Sequence, residues 1–350
     1  MGGVRRHNAE LLPRLANLLG ERGARLSILE GSETLGFSLP DEIERVRCEV
    51  PAGPPLARAL AEGRAVRATL RVAREQGEPY SLFHTAHLPV PRRLEVPLTL
   101  TIHDLRRLDP SHAAGLKRAT SRFALKRAVQ TAERIFCVSE SVRSELATQF
   151  VLPNERVHLV SNAADHLVPL ARAVTPESGL LHIGHLEPRK NLELLLRAVA
   201  HDPSLPDVTL AGAAKGDEGQ RLRRIASERG LESRIRFLGP VSEAELPSLL
   251  ASAACVVIPS RIEGFGIGVL EAQRAGVPLA TSNIAALREV AGEATPHFSP
   301  ESPGECAQAI RAALAADSTT LEAARANAER YSWETSARAW FDAWEAIIRA

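Results

Sequence analysis

Aromatic side chains are scarce in this chain: 4% of 350 residues, with nine Phe, three Trp and two Tyr. The apolar fraction is nevertheless 45%, enough aliphatic material to fill the cores of two domains of ordinary size. Spaced cysteines are also missing. Cys48, Cys137, Cys255 and Cys306 lie far apart with no C-x-x-C, which excludes a disulfide framework and predicts reduced core thiols in a cytosolic protein. No apolar run reaches the length of a membrane span, and no signal-peptide apolar segment is present. The absence of G-x-G-x-x-G after a strand pattern disfavours a nicotinamide enzyme, and neither a Walker A nor a G-x-S-x-G sequence occurs. No His, Cys and Asp cluster has metal-ligand spacing; His182 and His185 fall on opposite faces of one strand pattern. Low-complexity segments and internal repeats are lacking too.

A large net charge is the last absence. The total of +1 conceals +6 over residues 1–175 and −5 over residues 176–350. A basic first half suits an acidic lipid surface or acceptor, although charges this dispersed also suit a solvated surface. Nucleic acid is not expected as a partner.

What the chain does have is alternation. Strand patterns at 25–29, 80–84, 97–102, 134–138 and 156–160 are interleaved with helical ones, and after a two-proline stretch the alternation restarts at 180–183, 207–211, 235–238, 255–258 and 277–281. Strands alternating with helices mean parallel sheets covered on both faces. The opening is the exception. A helix from about Asn8 to Gly20 comes first, and no strand pattern precedes it. Residues 40–80, rich in Pro and Arg, show only a helix near 56–76.

The stretch with most chemical content follows the apolar run Cys255–Ile258. Gly264, Gly266 and Gly268 keep side chains away from the main chain, and a helix begins near Ile267. A strand, a glycine-rich loop and a helix N-terminus make an anion site. Glu263 and Glu271 flank it. Glutamates near a helix start are common decoration, but carboxylates separated by bare amides also suit sugar hydroxyls beside a phosphate. Arg189 and Lys190, in Pro188-Arg-Lys-Asn191, fall at another helix N-terminus, where two cations oppose the dipole unless an anion is bound. His103 ends a strand, a place where open α/β sheets put functional groups, though a lone His is more often structural. The helix carrying Lys117, Arg118, Arg122, Lys126 and Arg127 suits either solvent or a membrane surface.

These motifs carry a resemblance. Glu263-Gly-Phe-Gly…Glu271 resembles the Glu-x7-Glu motif of the family-4 retaining glycosyltransferases, whose GT-B fold has two Rossmann-like doubly wound domains facing a cleft. Ile183-Gly-His-Leu-Glu-Pro-Arg-Lys-Asn191 is similar to the loop where that family grips the donor diphosphate, with His185 standing where many members have Arg. Thr101-Ile-His-Asp104 matches the place of a histidine that hydrogen-bonds the donor sugar, with Asp104 able to orient it. Gly2-Gly3 match the double glycine of the first loop, so the first, central strand is missing ahead of it.

The resemblance implies an α/β GT-B fold. It has an N-terminal acceptor domain over 1–165, a linker over 166–178, a donor domain over 179–330, and a C-terminal helix over 331–350 that returns to the first domain through Trp333, Trp340 and Trp344. It implies metal-independent, configuration-retaining transfer of a hexose from a nucleotide-diphosphate sugar to a glycan, lipid-linked or small-molecule acceptor. His103, Glu263, Arg189 and Lys190 would be catalytic; Gly3, Val241, Gly264, Phe265, Gly266, Ile267 and Glu271 would bind the donor. No cofactor is implied beyond the donor substrate. The Pro-Arg-Lys-Asn loop and Tyr331-Ser-Trp-Glu tail look most like polysaccharide-assembly mannosyltransferases, favouring GDP-mannose. The expected location is cytoplasmic, with peripheral contact to the membrane through the N-terminal domain. A non-catalytic nucleotide-sugar-binding GT-B protein and a GT-B sugar-nucleotide epimerase are the alternatives.

Overall fold

The computed structural model describes residues 2–31, 37–48, 55–110, 115–168 and 179–349. These form two units, one comprising Val4–Ser161 with Trp333–Ala350, the other Met1–Gly3 with Asn162–Ser332. Residues 169–178 of the expected linker lie outside the described residues.

In the N-terminal unit, helix α1 (Gly3–Gly20) buries Leu11, Leu15, Leu18 and Leu19 at helical spacing, and His7 with them. It starts five residues earlier than its apolar pattern predicts. Gly3 is therefore its first helical residue rather than part of a loop, because nothing in Val4-Arg-Arg-His7 breaks a helix. Strands β1 (Ser27–Glu30) and β2 (Glu44–Arg47) pair in parallel as a two-stranded sheet. Helix α2 (Pro55–Glu75) follows. Strands β3 (Phe83–Thr85), β4 (Leu98–Ile102), β5 (Arg134–Cys137) and β6 (Val157–Leu159) form a separate parallel sheet in sequence order. Among the described residues no strand precedes α1.

Helices α3 (Gly115–Thr131) and α4 (Glu140–Gln149) complete the crossovers. Ser139 caps α4 by accepting from Val142 N at 3.1 Å. The last helix, Trp333–Ile348, belongs to this unit: Trp333, Trp340 and Trp344 are all buried, and Trp344 Nε1 donates to Thr99 Oγ1 at 3.1 Å.

The C-terminal unit is a continuous six-stranded parallel sheet. Its strands are β7 (Leu180–Ile183), β8 (Val208–Ala211), β9 (Ile235–Gly239), β10 (Cys255–Ile258), β11 (Leu279–Ser282) and β12 (His297–Phe298), in the spatial order β12-β11-β10-β7-β8-β9. The crossovers are α5 (Leu192–His201), α6 (Glu218–Glu228), α7 (Leu246–Ser252), α8 (Ile267–Arg274) and α9 (Ala285–Ala291), and α10 (Pro303–Leu314) and α11 (Ser318–Glu329) follow β12. Every residue of β8, β10 and β11 is buried, the signature of a strand covered on both faces.

Candidate functional site

Between β7 and β10 the strand order reverses: the chain steps from β7 outward through β8 and β9, then from β10 outward the other way. At such a reversal two crossovers diverge to opposite faces, leaving a crevice at the carboxyl ends of the strands. The loops entering it are 184–191 after β7 and 259–266 after β10. Arg261 N donates to Arg189 O at 2.8 Å and ties the two together. The loop after β8 joins from the other side through Leu186 N to Ala213 O and Lys215 N to Leu186 O, both 2.9 Å. That approach needs glycine: with φ of 152°, a Cβ on Gly212 would stand 1.9 Å from Gly184 O.

Pro188–Lys190 form a 3-10 turn, and Asn191 adopts a left-handed conformation (φ 54°) before α5 begins at Leu192. Helix α5 thus starts later than the sequence suggests, and Arg189 and Lys190 sit in the turn just ahead of it. Their charge is met by carboxylates. Lys190 Nζ donates to Glu263 Oε1 at 2.5 Å and Arg189 Nη1 to Glu263 Oε2 at 2.9 Å, while Ser260 Oγ donates to Oε1 at 2.8 Å. On its other side Arg189 pairs with Glu187 at 2.6 Å, and Lys215 lies 3.7 Å from Glu187. Burial alone would raise the Glu263 carboxyl, but Lys190 and Arg189 outweigh it and hold the group down at about 2. Burial works likewise against the Arg189 charge, and Glu263 and Glu187 overcome it. Two cations and two carboxylates thus form a charge-balanced cluster shielded from water, and the half-exposed Lys215 at its edge adds the one excess positive charge.

Gly266, left-handed at φ 95°, opens α8, and a Cβ there would meet Leu287 Cδ2 at 2.6 Å. Gly264 and Ile267 are buried beside it. Phe265 is buried against Tyr331, ring on ring at 5.6 Å and 86°, so it anchors the loop by packing. Glu271 lies a turn into α8, its Oε1 3.3 Å from His166 Nε2. Gly3 packs with this unit, where a Cβ would lie 3.7 Å from Ile267 Cδ1. Val241 follows β9, three strands across from β10 and so about 14 Å away at ordinary strand spacing. It is at the same sheet edge but outside the ionic cluster.

His103 belongs to the N-terminal unit, directly after β4. Its ring meets His7 edge to face, centroids 4.8 Å apart at 86°. Part of the residue remains at the surface, but Nε2 is sealed from solvent and has no hydrogen-bond partner. Burial, with His7 and His84 adding to it, pushes the imidazole well below its ordinary value and keeps it neutral. Asp104 does not orient it as the sequence suggests. Its Oδ1 instead accepts from Arg106 N at 3.2 Å, the turn that a short acidic side chain makes with the backbone two residues on.

Residues 173–331 match the family described as glycosyl transferases group 1, and residues 1–166 match glycosyltransferase family 4. O-antigen chain mannosyltransferase B of Escherichia coli is 30% identical over 271 residues, covering 72% of this chain and 71% of that protein. This chain belongs to the family-4 glycosyltransferases. The glycosyltransferase is also 27% identical over 241 residues to a longer serotype-specific mannosyltransferase of Escherichia coli, of which it spans 30%. In fold it is similar to an Anabaena protein solved with UDP-glucose, at a TM-score of 0.71 and 18% identity, covering 100% of this chain and 97% of that one. Its parallel-sheet units are the two Rossmann-like domains of a GT-B protein. Membership makes it a metal-independent, configuration-retaining hexosyltransferase.

Three members of the arrangement escaped the sequence reading. Glu187 stands in the Pro-Arg-Lys loop itself and was legible as a carboxylate beside two cations. Ser260 carried no signal beyond its place at a strand end. His166 reads as linker, and only the fold brings it to Glu271.

Proposed function

We propose that the C-terminal unit binds a nucleotide-diphosphate hexose at the reversal of its sheet, with GDP-mannose as the favoured donor, and that the hexose passes to a glycan or lipid-linked acceptor. The carrying observation is the buried cluster of Arg189, Lys190 and Glu263 at the strand ends. Arg189 and Lys190, with Lys215 at the edge, attract a diphosphate, which in a dry setting gains far more from fixed cations than it would in water. Arg189 and Lys190 stabilise the charge that grows on the leaving diphosphate. Glu271 accepts from ribose hydroxyls, and Glu263 with the amides of 264–266 holds the sugar, His103 contributing a further hydrogen bond. In a same-face displacement the bond from the sugar C1 to the phosphate oxygen breaks and one to the acceptor oxygen forms. The acceptor's proton passes to the departing phosphate oxygen, so this route calls for no cofactor and no enzymic nucleophile. The mannosyltransferase names among the relatives support the choice of sugar.

We further assign a peripheral membrane position, reached through the N-terminal unit. Helix α3 carries Lys117, Arg118, Arg122, Lys126 and Arg127 with no acidic residue, and exposes Leu116 and Phe123. That combination suits an anionic lipid surface. No described helix is long and apolar enough to cross a membrane.

Calorimetric titration of GDP, UDP and their sugars against the wild type and Glu271→Ala tests the donor reading. Binding of the GDP series, weakened about 10- to 100-fold by the loss of hydrogen bonds to a charged group, is expected. Preference for UDP would overturn the choice of base, and unchanged affinity in Glu271→Ala would remove that residue from the site.

A further inference from the structure

His7 takes no part in the reaction described so far, yet its position is unusual. It is a polar side chain at 0% exposure on α1, in a place where leucine would fill the space without the cost of desolvating an imidazole. On one side its ring lies 5.5 Å from Trp340 and 6.3 Å from Trp333. On the other it meets His103 edge to face at 4.8 Å. The tryptophans are held in turn. Trp340 packs at 4.7 Å against His84, whose two ring nitrogens are pinned by the hydroxyls of Thr99 at 2.9 Å and Thr101 at 3.2 Å. His7 therefore stands on a fixed wall, and the one neighbouring ring that reaches the surface is His103. Neither a hydrogen bond at His103 Nε2 nor Asp104 fixes the orientation of that ring. Among the described residues, its edge-to-face contact with His7 is a directional restraint on that ring.

We propose that His7 is a positioning residue for His103, setting the angle of its imidazole at the end of β4, and that it affects sugar transfer only through that ring. The inference rests on the reading in which His103 hydrogen-bonds the transferred sugar. It follows that the shape and orientation of the His7 ring matter more than its capacity to titrate. Burial, with the neighbouring imidazole adding to it, keeps the His103 ring neutral and leaves it one donor and one acceptor nitrogen.

The test is a cycle of His7→Ala, His103→Ala and the double variant, with His7→Phe as the ring-preserving control. His7→Ala should lower kcat by tenfold or more, because small misplacements of a substrate-contacting group carry penalties of up to about 10². The donor Kd should stay within twofold, and His7→Phe should keep most of the activity. In the double variant kcat should equal that of His103→Ala alone. Multiplying losses, or an equally poor His7→Phe that melts like the wild type, would overturn the proposal. A second readout needs no turnover: the ring nitrogen and carbon resonances of His103, assigned by comparison with His103→Ala, should move in His7→Ala and hold in His7→Phe. Unmoved resonances in His7→Ala would refute the positioning role. Wild type that transfers no sugar would refute the transfer reading instead, and the resonances would still decide whether His7 sets the ring.

Discussion

The two units are built from similar α/β units and solve their packing differently. The C-terminal unit has one unbroken sheet in which β8, β10 and β11 are buried along their whole length and surrounded by aliphatic side chains. The N-terminal unit has its strands in two separate sheets, of which β4 alone is buried at every position. Its core leans instead on rings: all three tryptophans, Phe136, His7 and His84 pack together around β4. The scarcity of aromatics predicts aliphatic cores. Aliphatic side chains do line both cores, and the N-terminal one adds the cluster of large rings around β4. The aliphatic unit carries the ionic cluster, and the ring-packed one carries the histidine pair.

Removing the central ring is the strongest way to break this contrast. Trp340→Ala takes away the indole that touches His7, His84, Phe136 and Trp344 at once, and should cost about 3–5 kcal/mol. The loss should fall on the N-terminal unit. Chemical denaturation followed by amide exchange would show amides of β4 and β5 losing protection while those of β10 and β11 keep theirs. Equal loss in both units would mean that they unfold as one.

The next effect belongs to the other unit and leaves its fold in place. Lys190→Ala should lower turnover by about 10²–10³, the usual loss when one fixed charge is withdrawn from a developing anion. The melting temperature should move far less than in Trp340→Ala, since Arg189 and Ser260 still hold Glu263. A fall of less than fivefold in kcat would remove the ionic cluster from the chemistry.

The same contrast explains what could be read from the sequence. Strand 255–258 falls where its apolar, β-branched run puts it, because a strand buried on both faces leaves such a run behind. Strand β2, Glu-Arg-Val-Arg, is largely exposed and has no such mark, and it was not foreseen. The spacing of Glu263 and Glu271 and the Pro-Arg-Lys-Asn loop made the site residues visible. Their pairing was not, because Lys190 and Glu263 are 73 residues apart in sequence and meet only through the order of strands β7 and β10. His7 carries no such mark, since burial of a polar residue leaves no trace in an apolar periodicity.

Acid should separate the units by a smaller margin. Burial lowers His84 from 6.5 to about 3, with His7 and His87 adding to it, and lowers His182 from 6.5 to about 4, with Lys190 adding to it. A depressed value means that the unfolded chain binds the proton first. The stability of each neutral histidine is thus complete above about pH 6.5 and falls by about 1.4 kcal/mol per pH unit below it. The loss from His182 ends near pH 4, and Glu263 adds its own below about pH 4.5. In the N-terminal unit the loss from His84 continues to about pH 3, and His103, depressed likewise, adds a second. With two such histidines the N-terminal unit should open first on acidification. Tryptophan fluorescence reports that unit alone, since all three indoles lie in it. Its midpoint should precede the circular dichroism midpoint of the whole chain, and coincident midpoints would reject the difference.

The smallest effect tests whether rings or hydrogen bonds hold the N-terminal core. Trp344→Phe keeps an aromatic ring against Trp340 and His84 but removes the Nε1 donor to Thr99 Oγ1. Thr99 retains His84 Nδ1 as a partner at 2.9 Å, so no buried hydroxyl is stranded. The cost should be about 1 kcal/mol, the net worth of one hydrogen bond. A Trp340→Phe variant measured alongside removes no hydrogen bond, because Trp340 Nε1 has no partner, and its cost should reflect lost ring area alone. If Trp344→Phe proves several times more damaging than Trp340→Phe, the Thr99, His84 and Thr101 chain of hydrogen bonds would be what fixes this core. The rings would then be filling space around that chain, and the restraint on His103 would have to be traced through His84 rather than through His7.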